Sequence, residues 1–288
     1  MALPIRTEYG VIQLGSTFGL AFLSIFVLVV LALQGGSIAS LWSLHAFIIV
    51  VGGTFAAVSV SFPAQIVFRI PRLIWEAFRP TKLELPSIVA TLIKLTDKIR
   101  RGGINAITQD LKHIEDPFLK KGFQYIAEGF DANEIEDLLA AEMMSIRGRH
   151  RNNIGVFESL GGYAPTLGIM GTVMSMVAIL GNLDKPEALG AEIATAMVAT
   201  LYGVASANIF FLPIGTKLKK LSEEELRIRQ VTIDIILAVQ GGASPRLIRE
   251  RLKAALPPET RKMIQNVKGK SRPGTFPMEE PSHYPEEG

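Results

Sequence analysis

Four stretches of this 288-residue chain contain no Asp, Glu, Lys or Arg. They are Ser16–Leu33, Leu44–Phe62, Ser159–Gly181 and Ile193–Thr216, of 18, 19, 23 and 24 residues. A helix of about 20 mainly apolar residues crosses the hydrocarbon core of a bilayer. Every backbone amide there needs an internal partner, so a helix is the spanning form such runs can take. A pair of buried hairpins in a soluble core is the competing reading, but four such runs in one chain of this length speak against it. The first run could also be a secretory signal, since Ser37-Ile38-Ala39 loosely fits a small-x-small cleavage site. Its leading segment, however, has only Arg6 as a base, balanced by Glu8, and the run outlasts a usual signal core. We take it as an uncleaved span.

The spans pair into two hairpins, joined by short connectors at 34–43 and 182–192, with long polar segments at 63–158 and after 216. The distribution of bases orients them. Fourteen Lys and Arg lie between Pro63 and Phe157, and fourteen more follow Thr216, so 28 of 30 fall on one side. The positive-inside rule makes that side cytoplasmic, with both termini inside and the chain multi-pass. Trp42 and Trp75 flank the second span, where interfacial aromatics belong. The net charge of +3 is thereby explained by topology, and nucleic acid is not an expected partner.

The expected organisation is an all-α membrane protein: an N-terminal segment and first hairpin (1–62), a cytoplasmic helical domain (63–158), a second hairpin (159–216), cytoplasmic C-terminal helices (217–256) and a disordered tail (257–288). Ile66, Ile70, Leu73 and Phe78 with Arg69, Arg72 and Arg79 predict a basic amphipathic helix along the membrane surface. A second helix carries Ile88, Leu92, Ile93, Leu95 and Ile99 and breaks at Gly102-Gly103. Asn133 with Glu136 has the composition of a capping box. The helix it starts is expected to run through Arg147, Arg149 and Arg151 into the third span. Lys, Pro, Gly, Ser and Glu dominate the tail.

The third and fourth spans differ from the bulky, aliphatic first. Gly161, Pro165, Gly168, Thr172 and Ser175 recur at steps of four, three, four and three, giving one small or hydroxylated face. Ala196, Thr200, Gly203 and Ala207 make a similar face, with Ser206 and Asn208 near it. Such faces serve tight helix packing, or they wall an ion path in which oxygens replace a hydration shell. Neither span holds a carboxylate, His, Lys or Arg; Glu158 and Glu192 sit at their ends, and His45 near the outer end of the second. Intramembrane proton carriers are typically Asp, Glu or His, so if the chain conducts protons the titrating group should come from another polypeptide. With no cysteine, and no Walker loop, zinc-type His spacing or nucleophile elbow, the sequence offers no catalytic constellation, metal site or cofactor motif.

Several motifs resemble the MotA family, the four-span subunits of the bacterial flagellar stator related to the TolQ and ExbB proton-channel proteins. They are Ile49-Val50-Val51-Gly52-Gly53-Thr54 with Ser61-Phe62-Pro63, the run from Gly161 to Val173, Ala199-Thr200-Leu201-Tyr202-Gly203 and Phe211-Leu212-Pro213. The resemblance implies a homopentameric ring around two MotB-type single-span partners, each bringing a membrane Asp. It further implies ion passage past Pro165, Thr172, Thr200 and Tyr202, with Pro165 and Pro213 coupled to conformational change. One hydroxyl before Leu-Tyr-Gly, at Thr200, favours H+ over Na+. The cytoplasmic loop would push on the flagellar rotor protein FliG. There the family places a base and, eight residues later, Glu. Here Arg100 and Arg101 supply bases, position 108 is Thr, and Asp110 is the nearest acid. That departure keeps open a TolQ/ExbB-like energy transducer or a stator-like motor for another machine. A passive scaffold whose small faces only pack is a third reading.

Overall fold

The computed structural model describes residues 41–78, 85–108, 110–114, 116–181 and 186–255, together with Gly19. The expected first span, the 34–40 part of its connector and the tail after Ala255 lie outside the described residues. Among those described there is no strand. The helices are α1 (Leu44–Ser61, with a π segment at Ile48–Gly52), α2 (Ile70–Phe78), α3 (Leu85–Gly102), α4 (Pro117–Glu128), α5 (Ala132–Leu180), α6 (Pro186–Ala205), α7 (Leu212–Gln240) and α8 (Pro245–Ala255). A second π segment, Ser206–Phe211, joins α6 to α7. Three of the described helical stretches are long and apolar enough to cross a membrane, one each in Leu44–Ser61, Ala132–Leu180 and Leu189–Gln240.

Helix ends follow local chemistry. Gly103, at φ +72°, stops α3 at the expected Gly-Gly break. Asp116 caps α4, accepting from the Leu119 amide at 2.8 Å, and Pro117 occupies the first turn, where no amide is missed. Gly129 turns into the left-handed region at φ 86°, and Phe130 N–H reaches back to the Tyr125 carbonyl, a Schellman closure. The capping box of α5 lies two residues earlier than Asn133 and Glu136. Asp131 Oδ1 accepts from the Glu134 amide at 2.8 Å, and Glu134 returns its carboxylate to the Asp131 amide at 3.0 Å. Asp caps as well as Asn, and the box needs its two members three apart, which Asp131 and Glu134 also satisfy. As expected, α5 continues unbroken past Arg147, Arg149 and Arg151 into the third span.

The chain forms two compact units: residues 1–83 with 142–226, and residues 84–141 with 227–288. This division by packing differs from the membrane boundaries expected at 62/63, 158/159 and 216/217, because 142–158 and 217–226 pack with the spanning helices. In the first unit Val58, Ile70, Leu73, Ala77, Val156, Phe157, Leu160 and Ile214 form one buried cluster. Phe55 and Phe211 meet edge to face at 6.5 Å beside it. The apolar stripe of the expected amphipathic helix is therefore buried against protein rather than lipid. His150 joins α5 to α7, its Nδ1 lying 2.9 Å from Ser222 Oγ and its Nε2 3.7 Å from Glu225.

The second unit has a core of ordinary soluble kind, with Leu92, Ile107, Leu119, Phe123, Ile126, Ile135, Leu139, Ile235, Ile236 and Ile248 fully enclosed. Gly122 lets α4 approach α7, since a Cβ there would come within 2.2 Å of Ile236 Cδ1. Arg229 Nη1 bonds both Asp116 oxygens, at 2.7 and 2.6 Å, and the guanidinium lies 5.1 Å from the centre of the Phe118 ring.

Candidate functional site

The small faces of α5 and α6 meet backbone to backbone. A Cβ on Gly168 would lie 2.8 Å from the Ala199 carbonyl oxygen, and one on Gly203 only 2.5 Å from that of Ala164. Both obstacles are main-chain atoms, so no rotamer could make room. Without apolar transfer to drive helices together in lipid, such approach supplies the dispersion contact that holds them. Gly171 extends the seam, its position facing Ala199 and Ile49. Gly161 faces Leu212 at the other end.

One turn beyond Gly168, this approach presses two hydroxyls together. Thr172 Oγ1 lies 2.5 Å from Thr200 Oγ1, 2.9 Å from the Ala196 carbonyl and 3.2 Å from the Gly168 carbonyl. A threonine has one proton to donate and two lone pairs to accept with. When Thr172 gives its proton to a carbonyl, Thr200 must donate to Thr172. The Thr200 oxygen then offers its lone pairs outward. Both side chains are partly exposed, so the pair is a preorganised acceptor in a wall without ionisable groups.

The other expected residues distribute unevenly around this pair. Pro165 sits within α5 on the same seam, its Cα 3.1 Å from the Cβ position of Gly203. Having no amide, it cannot bond the Gly161 carbonyl one turn back. Pro213 is exposed at the start of α7, immediately after the π segment. It likewise withholds an amide from Ile209, and the wider π turn falls where that bond is missing. Tyr202 turns away from the threonines. Its hydroxyl donates to the Leu41 carbonyl at 2.6 Å and lies 3.4 Å from the Ser43 amide, and its ring packs on Ala46, Val50, Val198 and Ala199. Ser206 and Asn208 bond back to their own helix, at Gly203 and Val204.

In the second unit Arg100 and Arg101 end α3, both exposed. Asp110 is not offered beside them. Its carboxylate is held by Lys98 Nζ at 2.5 Å, across the reversal that Gly102 and Gly103 create. The exposed basic side chains there are Lys98, Arg100, Arg101, Lys112 and His113. Sequence reasoning missed Lys98 and the Asp116–Arg229 clasp. The Gly-Gly break was the available signal for the first; a sequence separation of 113 hid the second.

A family model described as the MotA/TolQ/ExbB proton channel family matches residues 110–231. Motility protein A of Borreliella burgdorferi is 32% identical over 243 residues, spanning 84% of this chain and 94% of that protein. The structure of C. jejuni MotAB superposes with a TM-score of 0.80 at 26% identity, covering 85% of this chain and 96% of that one. The flagellar MotAB stator complex from Bacillus subtilis gives 0.77 at 30% identity, covering 85% and 97%. An all-helical fold with long apolar helices and a charge-free hydroxyl seam is that of an ion-channel subunit, and the chain belongs to the MotA/TolQ/ExbB proton channel family. Within that family its similarity runs along almost the whole length of a Motility protein A.

Proposed function

We propose that this chain is the ion-conducting, torque-generating subunit of a flagellar stator in the bacterial inner membrane. Five copies would surround two MotB-type single-span partners, with four spans per copy and both termini cytoplasmic. It converts ion-motive force into rotation and is not an enzyme. The Thr172–Thr200 pair carries this reading: two adjacent oxygens, the outer one free to accept, on spans that contain no carboxylate, His, Lys or Arg.

A membrane Asp on the partner supplies the missing titration. Protonated, the carboxyl is neutral and can donate its O–H to Thr200 Oγ1. Deprotonated, it is a charge in a low-dielectric wall, which is costly, and it meets lone pairs unless Thr200 turns its own proton toward it. The two states thus prefer different placements against the ring. Repeated loading and release then steps the ring around the partner pair, while Pro165 and Pro213, where the amide ladder is interrupted, allow α5 and α7 to flex. Two hydroxyls suit H+ better than a dehydrated Na+, which needs more oxygens. Tyr202 anchors the second span to α6 and so holds the wall in place. Arg100 and Arg101 meet an acidic surface of the rotor protein FliG.

The test is flux through the chain reconstituted with its partner. Thr200→Val should abolish pH-gradient dissipation in vesicles while the assembly still elutes intact; undiminished flux would remove Thr200 from the path. A TolQ/ExbB-like transducer, or a motor for another machine, is the second reading, favoured by Thr108 and by the capture of Asp110 by Lys98. Deleting the gene separates them: loss of swimming with normal growth supports the flagellar stator.

A further inference from the structure

Helix α2 has a second face that its packing leaves outward. Ile70, Leu73 and Ala77 are buried in one cluster with Val58, Val156, Phe157, Leu160 and Ile214. Three of those five belong to charge-free runs: Val58 lies one turn from the end of the second span, Leu160 at the start of the third and Ile214 near the end of the fourth. The helix therefore packs beside the ends of these runs. Outside that cluster Phe68, in the turn before the helix, is 84% and Trp75 61% exposed, two large aromatics seven residues apart. Arg69 and Arg72 lie between them, both exposed. Arg72 Nε bonds Glu76 at 2.9 Å, yet 78% of the arginine side chain stays open, leaving the outer guanidinium nitrogens available. Lys217, just past the fourth span, reaches the same helix, its Nζ 4.8 Å over the Phe78 ring, and Lys219 and Lys220 are exposed in the next turn.

Aromatics and bases want opposite surroundings except in one place, the headgroup layer, where a ring meets acyl chains and a cation meets phosphate. We propose that the outward face of α2 and the turn preceding it, comprising Phe68, Arg69, Arg72 and Trp75, binds anionic phospholipid headgroups of the leaflet at which the second span ends. The charge complementarity is with phosphodiester lipids of net negative charge, and the surface continues directly from a membrane-spanning helix. The inference rests on membrane placement alone and survives if the stator reading fails.

The chain has two tryptophans, so Trp42→Phe leaves Trp75 as the only reporter. The full chain in its purified assembly is reconstituted in vesicles of phosphatidylcholine with 30 mol% phosphatidylglycerol, with one lipid species brominated on its acyl chains at a time. At equal mole fraction, brominated phosphatidylglycerol should quench Trp75 about two- to fivefold more than brominated phosphatidylcholine. Arg69→Gln with Arg72→Gln should bring the two toward equality without moving the elution volume. Equal quenching in the parent protein overturns headgroup selection. Absence of quenching by either lipid overturns the site: iodide then shows whether Trp75 faces water, if it quenches, or is covered by a neighbouring copy, if it does not.

Discussion

The two units of this molecule hold themselves together by opposite means. Where α5 meets α6 there is no charge at all. Glycines remove side chains so that main chains touch, and the polar side chains that meet there are the Thr172 and Thr200 hydroxyls, bonded to each other. In the second unit the junction of α4 and α7 is built on Asp116 and Arg229, with side chains only 17% and 11% exposed. A paired, hydrogen-bonded charge is tolerable in the interior of a water-soluble fold. In a membrane wall a fixed charge would compete with the one that moves. The difference teaches that the emptiness of the α5–α6 seam is itself a property the sequence maintains, since the same chain buries an ion pair freely elsewhere.

The largest effect should come from breaking the charged junction. Asp116→Ala removes two charge-assisted hydrogen bonds of the Arg229 guanidinium and the α4 cap, and together these should cost about 4 kcal/mol in chemical unfolding of the purified protein. A loss under about 1 kcal/mol would mean that Asp116 and Arg229 act like a solvated surface pair, and the contrast between the units would disappear. Next comes the uncharged junction. Gly203→Ala places a methyl where the Ala164 carbonyl oxygen stands, and overpacking against backbone should cost about 2–3 kcal/mol. Gly162→Ala, with open space around its Cβ position, is the control and should be silent. If both behave alike, close approach is not what binds α5 to α6.

These two junctions also differ in how visible they are from sequence. The seam is legible because its code is local: glycines and threonines at helical spacing state which face is small, and the close contact follows. The break at Gly102-Gly103 and the passage of α5 into the third span are legible for the same reason. The charged junction pairs residues on distant helices, and no periodicity reveals which Arg an Asp will find. The partner of Asp110 was hidden likewise, and so was the inward face of α2, whose apolar stripe fits a bilayer as well as a protein core. Only the positions of Val58, Phe157 and Ile214 decide that. Tyr202 shows the limit within a motif: one residue beyond Leu201 it leaves the threonine face, because 100° of rotation per residue carries it toward the second span.

The hydroxyl pair sharpens the comparison with a smaller effect. Thr172→Val removes the acceptor of Thr200 and the bond to Ala196, and should cost about 1 kcal/mol in thermal unfolding. Thr200→Val leaves both carbonyl bonds of Thr172 in place and should cost less. Thr172→Ser keeps the geometry and should retain flux, whereas both valine variants should lose it. A stability loss in Thr200→Val equal to that of the glycine variant would make the pair a packing device rather than an ion site.

The smallest change in stability should accompany an informative change in function. Lys98 is 44% exposed and its pair with Asp110 is partly solvated, so Lys98→Met should cost about 0.5 kcal/mol or less. It releases the Asp110 carboxylate next to Arg100 and Arg101. Interface charges govern steering and register more than affinity, so freeing an acid on a basic tip should alter swimming speed under load while flux stays unchanged. Asp110→Asn in the same background should cancel the alteration, because the freed charge is its cause. A change that persists in the double variant would instead trace to the lost Lys98 cation, and would mean that the tip meets its rotor through bases alone.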